Sequence, residues 1–248
     1  MKYLILGIIQ GFTEFLPVSS SGHLVIAEKL FGVNENQLLI ILICHFGTLL
    51  SMMVYFFKDI MGLFKKIGLI GQILLVSAIT FVIAKAGQKF VEPLFGSTRA
   101  VSIALCITGV ILIIASRFQN GKRKLISVDI RDSSFLGLMQ GIAVIPGISR
   151  SGMTISSLFF RGIERDSAFK FSFLAGMPAI AGAFFLEIRH VGTIPPQLKG
   201  DLMIACLASF IAGLGSLVLL RSIIHKAKFQ WFGFYCIAAG VLSFIFIK

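Results

Sequence analysis

Six apolar segments, each close to 20 residues long, limit the folds that this chain can adopt. They cover residues 37–57, 67–87, 99–117, 166–187, 202–220 and 229–247. An α-helix rises 1.5 Å per residue, so about 20 apolar residues cross the hydrocarbon core of a bilayer. Charged residues make up only 14% of the chain, whereas a soluble domain carries about 25%. The sequence therefore predicts an all-α polytopic membrane protein with a single membrane domain over residues 1–248.

Two further apolar regions, residues 3–31 and 133–162, are each interrupted near the middle. The first is broken at Pro17 and the serines that follow, and the second at residues 146–152. Each half holds roughly 12–15 residues, enough helix to reach the membrane centre but not to cross it. Irregular backbone at that depth is tolerated only where protein or a wet cavity surrounds it. We therefore predict two re-entrant helical hairpins.

The two interrupted regions are related by a shift of 130 residues. Seven of the 17 positions from 6 to 22 are identical to their counterparts, where chance gives about one. The identical positions in the first region are Leu6, Gly7, Gln10, Gly11, Ser19, Ser21 and Gly22. We predict a first repeat over 1–118 and a second over 131–248, each made of one hairpin and three spans. Because three is odd, the second repeat would enter the membrane with inverted topology.

Basic residues are divided unevenly between the two predicted faces of the membrane. The loops 58–66, 117–131, 161–170 and 221–228 carry 14 of the 23 Lys and Arg residues. Cytoplasmic loops are enriched in these residues, so we predict that both termini are extracytoplasmic and that the site opens on that side. Topology signals and contact with anionic lipids account for the net charge of +12 without a nucleic-acid partner.

Four ionisable side chains fall near the predicted membrane centre, where charge is costly and usually functional. They are Glu14, His23, His45 and Arg150. Each has a structural alternative: Glu14 pairs with Arg150 alone, and either histidine makes a structural hydrogen bond. Gln10, four residues before Glu14 on the same helix face, either joins the site or packs the broken helices.

Serines at the two interruptions would begin the returning arms of the hairpins. The first backbone N–H groups of a helix lack partners and bind anions, although serines at such positions also serve as caps. With an arginine between two helix starts, the sequence predicts a phosphate-binding site at the membrane midplane. The residues expected to surround the phosphate are Gln10, Ser19, Ser20, Ser21, Ser149, Arg150, Ser151 and Thr154.

Residues 7–23, GIIQGFTEFLPVSSSGH, resemble the first signature of the undecaprenyl-diphosphatase (BacA/UppP, bacitracin-resistance) family. Residues 146–154, PGISRSGMT, resemble the second signature, and residues 171–178, FSFLAGMP, are also similar to the family. The similarity extends over essentially the whole chain. The resemblance implies removal of the terminal phosphate of undecaprenyl diphosphate at the outer side of the bacterial cytoplasmic membrane. That reaction recycles the lipid carrier of cell-wall synthesis and confers bacitracin resistance. The resemblance also implies a divalent cation, Mg²⁺ or Ca²⁺, and a homodimer.

The same resemblance assigns roles to individual residues. It implies that Glu14 acts with the metal and that Ser20 is the nucleophile, with His23 as its base or as a rival nucleophile. It also implies that the second signature binds the diphosphate. Gln10 stands where some members have a second Glu, which leaves one carboxylate for the metal.

Phosphoryl transfer requires alignment and charge neutralisation more than covalent machinery. On a helix that starts near Ser19, Ser20 and His23 would share one face, so His23 could accept the proton of Ser20. A polyprenyl-phosphate transporter or flippase is the alternative function, since inverted repeats suit alternating access. Transport requires the anion site but no nucleophile with a base, so the presence of Glu14 beside Ser20 and His23 favours hydrolysis.

Overall fold

The computed structural model describes residues 1–31, 37–191 and 196–247. The C-terminal residue lies outside this part, as does the link between the predicted hairpin 3–31 and the predicted span 37–57. The described chain forms eleven α-helices joined by short turns and 3-10 segments. They are α1 Lys2–Phe15, α2 Ser20–Phe31, α3 Gln37–Tyr55, α4 Phe57–Leu63, α5 Ile67–Val91, α6 Thr98–Ser116, α7 Ile130–Ile142, α8 Arg150–Phe160, α9 Arg165–Glu187, α10 Lys199–His225 and α11 Gln230–Phe246.

Several of these helices are long and apolar enough to cross a membrane. Among the described residues they are α6, α9, α5 with the turn after it (Ile67–Gly96) and α10 with the turn before it (Pro196–His225). The pair α3 and α4 is bent by 71° and is a fifth candidate, whereas α11 is shorter, at 17 residues. The protein is therefore an all-helical, multi-pass membrane protein.

The helices overlap the predicted apolar segments with different ends. The predicted span 37–57 ends as a straight helix at Tyr55, where the chain bends into α4. The predicted span 202–220 lies inside the longer α10, which runs from Lys199 to His225. Polar residues at both ends of α10 hid its extent, since hydropathy marks only the apolar middle of a helix.

Both interrupted regions form two helices separated by a turn. α1 ends at Phe15, because Leu16 precedes Pro17 and takes an extended conformation with ψ of 142°. α7 ends at Ile142, and α8 begins at Arg150 after a turn that includes Gly147 at φ of +94°. A Cβ at Gly147 would lie 2.5 Å from the carbonyl oxygen of Val101, so glycine also permits this close approach to α6.

Matching helices pack on matching partners. α1 lies against α10 and α7 lies against α5, and a shift of 130 residues relates these two pairs. A Cβ on Gly7 would lie 2.5 Å from the carbonyl oxygen of Ala205, and one on Gly137 would lie 2.9 Å from the Cβ of Ile79. Small residues let membrane helices approach this closely, so the repeated glycines hold the first arm of each hairpin against its long neighbour.

An aromatic cluster forms the core beside the ends of the broken helices. Phe15 packs edge-on against Phe173 with ring centroids 5.7 Å apart, and Phe173 contacts Phe169 and Phe56. All four rings are buried. Because Phe15 directly follows Glu14 in α1, this packing fixes the end of the helix that carries the carboxylate.

A buried carboxylate joins the loop before α7 to the end of α8. Asp132 accepts hydrogen bonds from Arg123 Nη2 at 2.6 Å and Arg161 Nε at 2.7 Å. Asp132 also forms a capping box with Asp129. Burial alone would raise the pKa of Asp132, but the hydrogen bonds from Arg123, Asp129 and Arg161 outweigh it and hold the pKa below its usual range. This network brings together arginines from two of the loops predicted to be cytoplasmic.

Candidate active site

Glu14 is the centre of a buried polar cluster and is only 7% exposed. Its Oε1 accepts a hydrogen bond from Arg150 Nη1 at 3.0 Å. Its Oε2 accepts from Gln10 Nε2 at 2.8 Å and from Ser20 Oγ at 2.6 Å, and His45 Nε2 lies 3.4 Å away. The carboxylate thus meets side chains from α1, α2, α3 and α8. A buried carboxylate is stabilised when its charge is compensated and its lone pairs are hydrogen-bonded, as they are here.

Ser20 reaches Glu14 because of an unusual backbone conformation just before it. Ser19 has φ of +66°, in the left-handed region that few residues other than glycine adopt. The chain turns there and α2 begins at Ser20, so the Ser20 hydroxyl points back to the end of α1. Strained backbone of this kind is often found at functional sites.

The flanking serines of the two breaks are helix caps. Ser19 Oγ accepts from the Gly22 backbone N–H at 3.3 Å, and Ser149 Oγ accepts from the Gly152 N–H at 3.2 Å. The hydroxyls of Ser21 and Ser151 each lie 3.3 Å from the capping hydroxyl of their own helix. The predicted equivalence of the two serine pairs therefore extends to their contacts, and the capping alternative describes Ser19 and Ser149.

His23 faces α11 rather than Ser20. Its Nδ1 lies 2.8 Å from the Ser19 carbonyl oxygen, and its Nε2 lies 2.6 Å from the hydroxyl of Tyr235. A carbonyl only accepts, so Nδ1 carries the proton and the Tyr235 hydroxyl donates to Nε2. The structure thus differs from the expected pairing of His23 with Ser20: Glu14 is the group that accepts the Ser20 hydrogen bond.

Arg150 and Thr154 form the wall that the second break contributes. The Arg150 guanidinium is partly exposed, with its Nη1 on Glu14. Thr154 Oγ1 donates to the Arg150 carbonyl at 2.9 Å and is in hydrogen-bond contact with Ser172 of α9. Ser151 Oγ donates to the Leu16 carbonyl at 3.2 Å, across the two breaks. These contacts hold the second signature against the end of α1.

A small cavity of about 20 Å³ lies inside this cluster. Its polar lining comes from both interrupted regions and from α9. The lining polar residues are Glu14, Gln140, Arg150, Ser151, Thr154 and Ser172. Phe15, Met52, Phe173 and Ile180 are among the apolar residues that close it.

The family model described as bacitracin resistance protein BacA matches residues 3–242 of this chain. The chain belongs to the BacA family. It is similar to proteins named undecaprenyl-diphosphatase over nearly their full length. One from Carboxydothermus hydrogenoformans is 39% identical and covers 96% of this chain and 94% of its own. Relatives from Desulforapulum autotrophicum and Methanococcus maripaludis are 36% and 32% identical, covering 98% and 100% of this chain and 96% and 100% of their own.

The sequence did not predict the contacts that three residues make in this BacA-family site. His45 stood out only as an ionisable residue within a span, with a structural hydrogen bond as the alternative, yet it lies against Glu14. Ser172 lies in the FSFLAGMP segment, residues 171–178, that resembles the family, and that resemblance was its only signal. Tyr235 is 212 residues from His23, and no sequence pattern marks it.

The residues around Glu14 fit a divalent cation only in part. The described residues hold no group of three His, Cys, Asp or Glu side chains that could bind a metal ion. Glu14 is accompanied by the amide of Gln10, whose Oε1 is buried without a hydrogen-bond partner in the described chain. Mg²⁺ is commonly held by one or two carboxylates together with substrate phosphates. The site of this BacA-family chain therefore suits a cation that binds with a phosphate group, rather than alone.

Proposed function

We propose that this chain hydrolyses undecaprenyl diphosphate to undecaprenyl phosphate and inorganic phosphate. The observation that carries the proposal is the 2.6 Å hydrogen bond from Ser20 to Glu14, directly beside Arg150. In our proposal Ser20 is the nucleophile, Glu14 is its base and the Arg150 guanidinium binds the phosphate; the contacts among these three side chains support these roles. Membership of the BacA family and relatives named undecaprenyl-diphosphatase support this substrate.

Binding of the diphosphate requires positive groups at the two breaks. The Arg150 guanidinium has further N–H donors besides the one on Glu14, and its planar fork matches two phosphate oxygens. The first backbone N–H groups of a helix lack helical partners and bind anions; Ser19 and Ser149 cap only those of Gly22 and Gly152 at the starts of α2 and α8. In our proposal these groups bind the diphosphate and neutralise charge on the transferred phosphoryl group.

Ser20 Oγ then attacks the terminal phosphorus, and its proton passes to Glu14 Oε2. The bond between the terminal phosphorus and the bridging oxygen breaks, and undecaprenyl phosphate leaves with the electron pair. A phosphate leaving group is a weak base, so it requires little protonation. Water then hydrolyses the phosphoserine. Attack by His23 is the competing route, and it would require its Nε2 to leave the hydroxyl of Tyr235.

We also propose that Mg²⁺ or Ca²⁺ takes part, held by Glu14 and Gln10 together with the substrate. Bound there, the cation would neutralise negative charge on the phosphate oxygens. The single carboxylate and the unpartnered Gln10 oxygen support this arrangement.

For the membrane arrangement we propose two re-entrant hairpins in an inverted repeat, with repeats over 1–118 and 131–248. The matching packing of α1 on α10 and α7 on α5 supports it. We further propose a homodimer in the bacterial cytoplasmic membrane, with the site and both termini outside. Cysteine labelling in intact cells tests the orientation: an impermeant reagent should not reach a cysteine placed at Lys122.

The assay that tests the function uses purified protein and a polyprenyl diphosphate, with release of inorganic phosphate as the readout. We expect turnover by the natural chain and none by the Ser20→Ala variant. The alternative, a lipid-phosphate transporter, requires the anion site but not a serine donating to a carboxylate. Transport of lipid phosphate in vesicles without phosphate release would favour that alternative.

A further inference from the structure

Gln140, on α7, carries a buried oxygen without a partner. The side chain is only 2% exposed. Its Nε2 donates to Thr80 Oγ1 at 3.0 Å, and Thr80 Oγ1 donates to the Gly137 carbonyl at 3.3 Å. Because the Thr80 hydrogen is directed at a carbonyl, the threonine oxygen accepts from the Gln140 amide, which fixes the amide orientation. Oε1 is left without a hydrogen-bond partner in the described chain.

This amide lines the cavity that Glu14 and Arg150 also line. A buried acceptor is costly to leave unpaired, and such atoms commonly bind water or a ligand group. Nothing assigned to the diphosphate involves Gln140, which is the counterpart of Gln10 in the repeat and which the sequence alone favours as a packing residue of the broken helices. The cavity and the unpaired oxygen together point to a bound ligand that carries a hydrogen-bond donor.

The cavity has room for a water molecule. A water molecule requires at least about 10–15 Å³ of such volume, and this cavity has about 20 Å³. Chemistry agrees with size, because Gln140 Oε1 can only accept a hydrogen bond. A water molecule donates to such an oxygen, whereas an ionised phosphate oxygen would be repelled by it.

We propose that this cavity holds the water molecule that hydrolyses the phosphoenzyme, with Gln140 Oε1 accepting a hydrogen bond from it. The inference rests on the proposed function and adds the residue that positions the second nucleophile. Water-orienting side chains have this role in other phosphoryl-transfer sites. Thr154 and Ser172, joined to each other in the same wall, offer rotatable hydroxyls as further partners.

The hydrolytic step transfers the phosphoryl group from Ser20 to the water molecule. The water oxygen forms a bond to the phosphorus of phospho-Ser20, and the bond between phosphorus and Ser20 Oγ breaks. Its electron pair goes to Oγ, which takes back the proton that Glu14 received in the first step. Both water hydrogens leave with the product as dihydrogen phosphate. Serine and carboxylate are then restored, and nothing else is consumed.

Two substitutions at one position separate this role from a structural one. Gln140→Met keeps the volume but removes the acceptor, so kcat should fall more than about 10-fold while kcat/KM changes little, because misplacing the water slows only the step that follows phosphoryl transfer to Ser20. Gln140→Ala enlarges the cavity enough to admit methanol. In aqueous methanol it should release several times more methyl phosphate, relative to inorganic phosphate, than the natural enzyme does.

Thr80→Val is the matched control, because it removes the partner of the Gln140 amide nitrogen and leaves the acceptor oxygen in place. It should keep the natural product ratio in methanol. The proposal would be overturned by Gln140→Met turning over within two-fold of the natural enzyme, by a kcat/KM that falls as far as kcat does, or by an unchanged product ratio in Gln140→Ala. Failure of the proposed function looks different: the natural protein itself would then release no phosphate in the same assay.

Discussion

The Ser20 hydroxyl donates to Glu14 Oε2 across 2.6 Å, while Arg150 binds the other oxygen of the same carboxylate. One buried carboxylate therefore connects the break of the first hairpin to the break of the second. The shift that relates the two hairpins places Ser20 opposite Arg150, and Glu14 opposite Val144. The repeat preserves the caps, whereas the residues proposed to react or to bind phosphate, Glu14, Ser20 and Arg150, stand at positions where its two copies differ.

Replacing Glu14 with Gln should reduce turnover by at least about 100-fold, the usual contribution of a general base. The amide cannot accept the Ser20 proton and leaves Arg150 without its counter-charge. Phosphate release from a polyprenyl diphosphate measures the effect, together with the response to Mg²⁺ and Ca²⁺, which should weaken. Glu92→Gln is the control, since Glu92 is exposed. A Glu14→Gln enzyme with natural rate and cation response would remove both roles from this residue.

Replacing Arg150 with Lys should also cost about 100-fold or more, a loss typical of removing a donor that stabilises transition-state charge. A lysine keeps the charge but not the fork that matches two phosphate oxygens. The variant should still insert and elute as a folded protein, since lysine can still pair with Glu14. Near-natural turnover in Arg150→Lys would argue against direct contact between Arg150 and the diphosphate.

Local sequence rules predicted the part of the site that depends on short spacing. Ser19 and Ser149 precede helices and cap them, and Gln10 reaches Glu14 one turn away. The direction of Ser20 could not be predicted, because it depends on the left-handed backbone of Ser19. An assumed regular helix start placed His23 beside Ser20 instead.

Contacts between helices that are distant along the chain could not be predicted from the sequence either. His45 lies on α3, and the position of α3 beside α1 depends on its packing against α10. Hydropathy predicted most helices because membrane helices are selected for apolar length. It missed the bend between α3 and α4, because the chain there consists of three consecutive aromatic residues, 55–57, and no proline or glycine marks the break.

His45 should act by positioning Glu14. Its Nδ1 donates to the Ile41 carbonyl at 2.9 Å, and the imidazolium form also donates from Nε2 to the carboxylate 3.4 Å away. A hydrogen bond to a charged group is worth about 1.5–3 kcal/mol, so His45→Ala should lose about 10- to 100-fold in kcat with little change in KM. His45→Gln can still donate an amide N–H and should recover most of the rate. Equal losses in both variants would indicate a different role for the imidazole.

Asp132 should contribute to stability rather than to catalysis. Asp132→Asn removes the charge shared by Arg123 and Arg161, and we expect a loss of about 1–3 kcal/mol with normal turnover. Because the folded pKa of Asp132 is lowered, its contribution is present above its unfolded pKa of about 3.9 and disappears as the pH falls through the folded value. The Tm difference in detergent should therefore shrink in acid.

Asp59→Asn is the control for that comparison, since Asp59 is paired only with Lys170 at 3.6 Å in the described chain. It should change Tm little, because ion pairs that remain accessible to solvent contribute about 0–1 kcal/mol. If Asp132→Asn also left Tm unchanged at neutral pH, the network would not hold the loop before α7.

The nucleophile can be identified through Tyr235, whose hydroxyl occupies His23 Nε2. If Ser20 attacks, Tyr235→Phe removes one neutral hydrogen bond and should cost less than about 10-fold, while Ser20→Ala abolishes turnover but retains diphosphate binding. Rapid quench with a label in the terminal phosphate should then trap acid-stable phosphoserine in the natural enzyme and in Tyr235→Phe.

If His23 attacks, freeing Nε2 should speed the reaction, and the label should be acid-labile, as phosphohistidine is. Acid-labile label in Ser20→Ala would assign the nucleophile to His23.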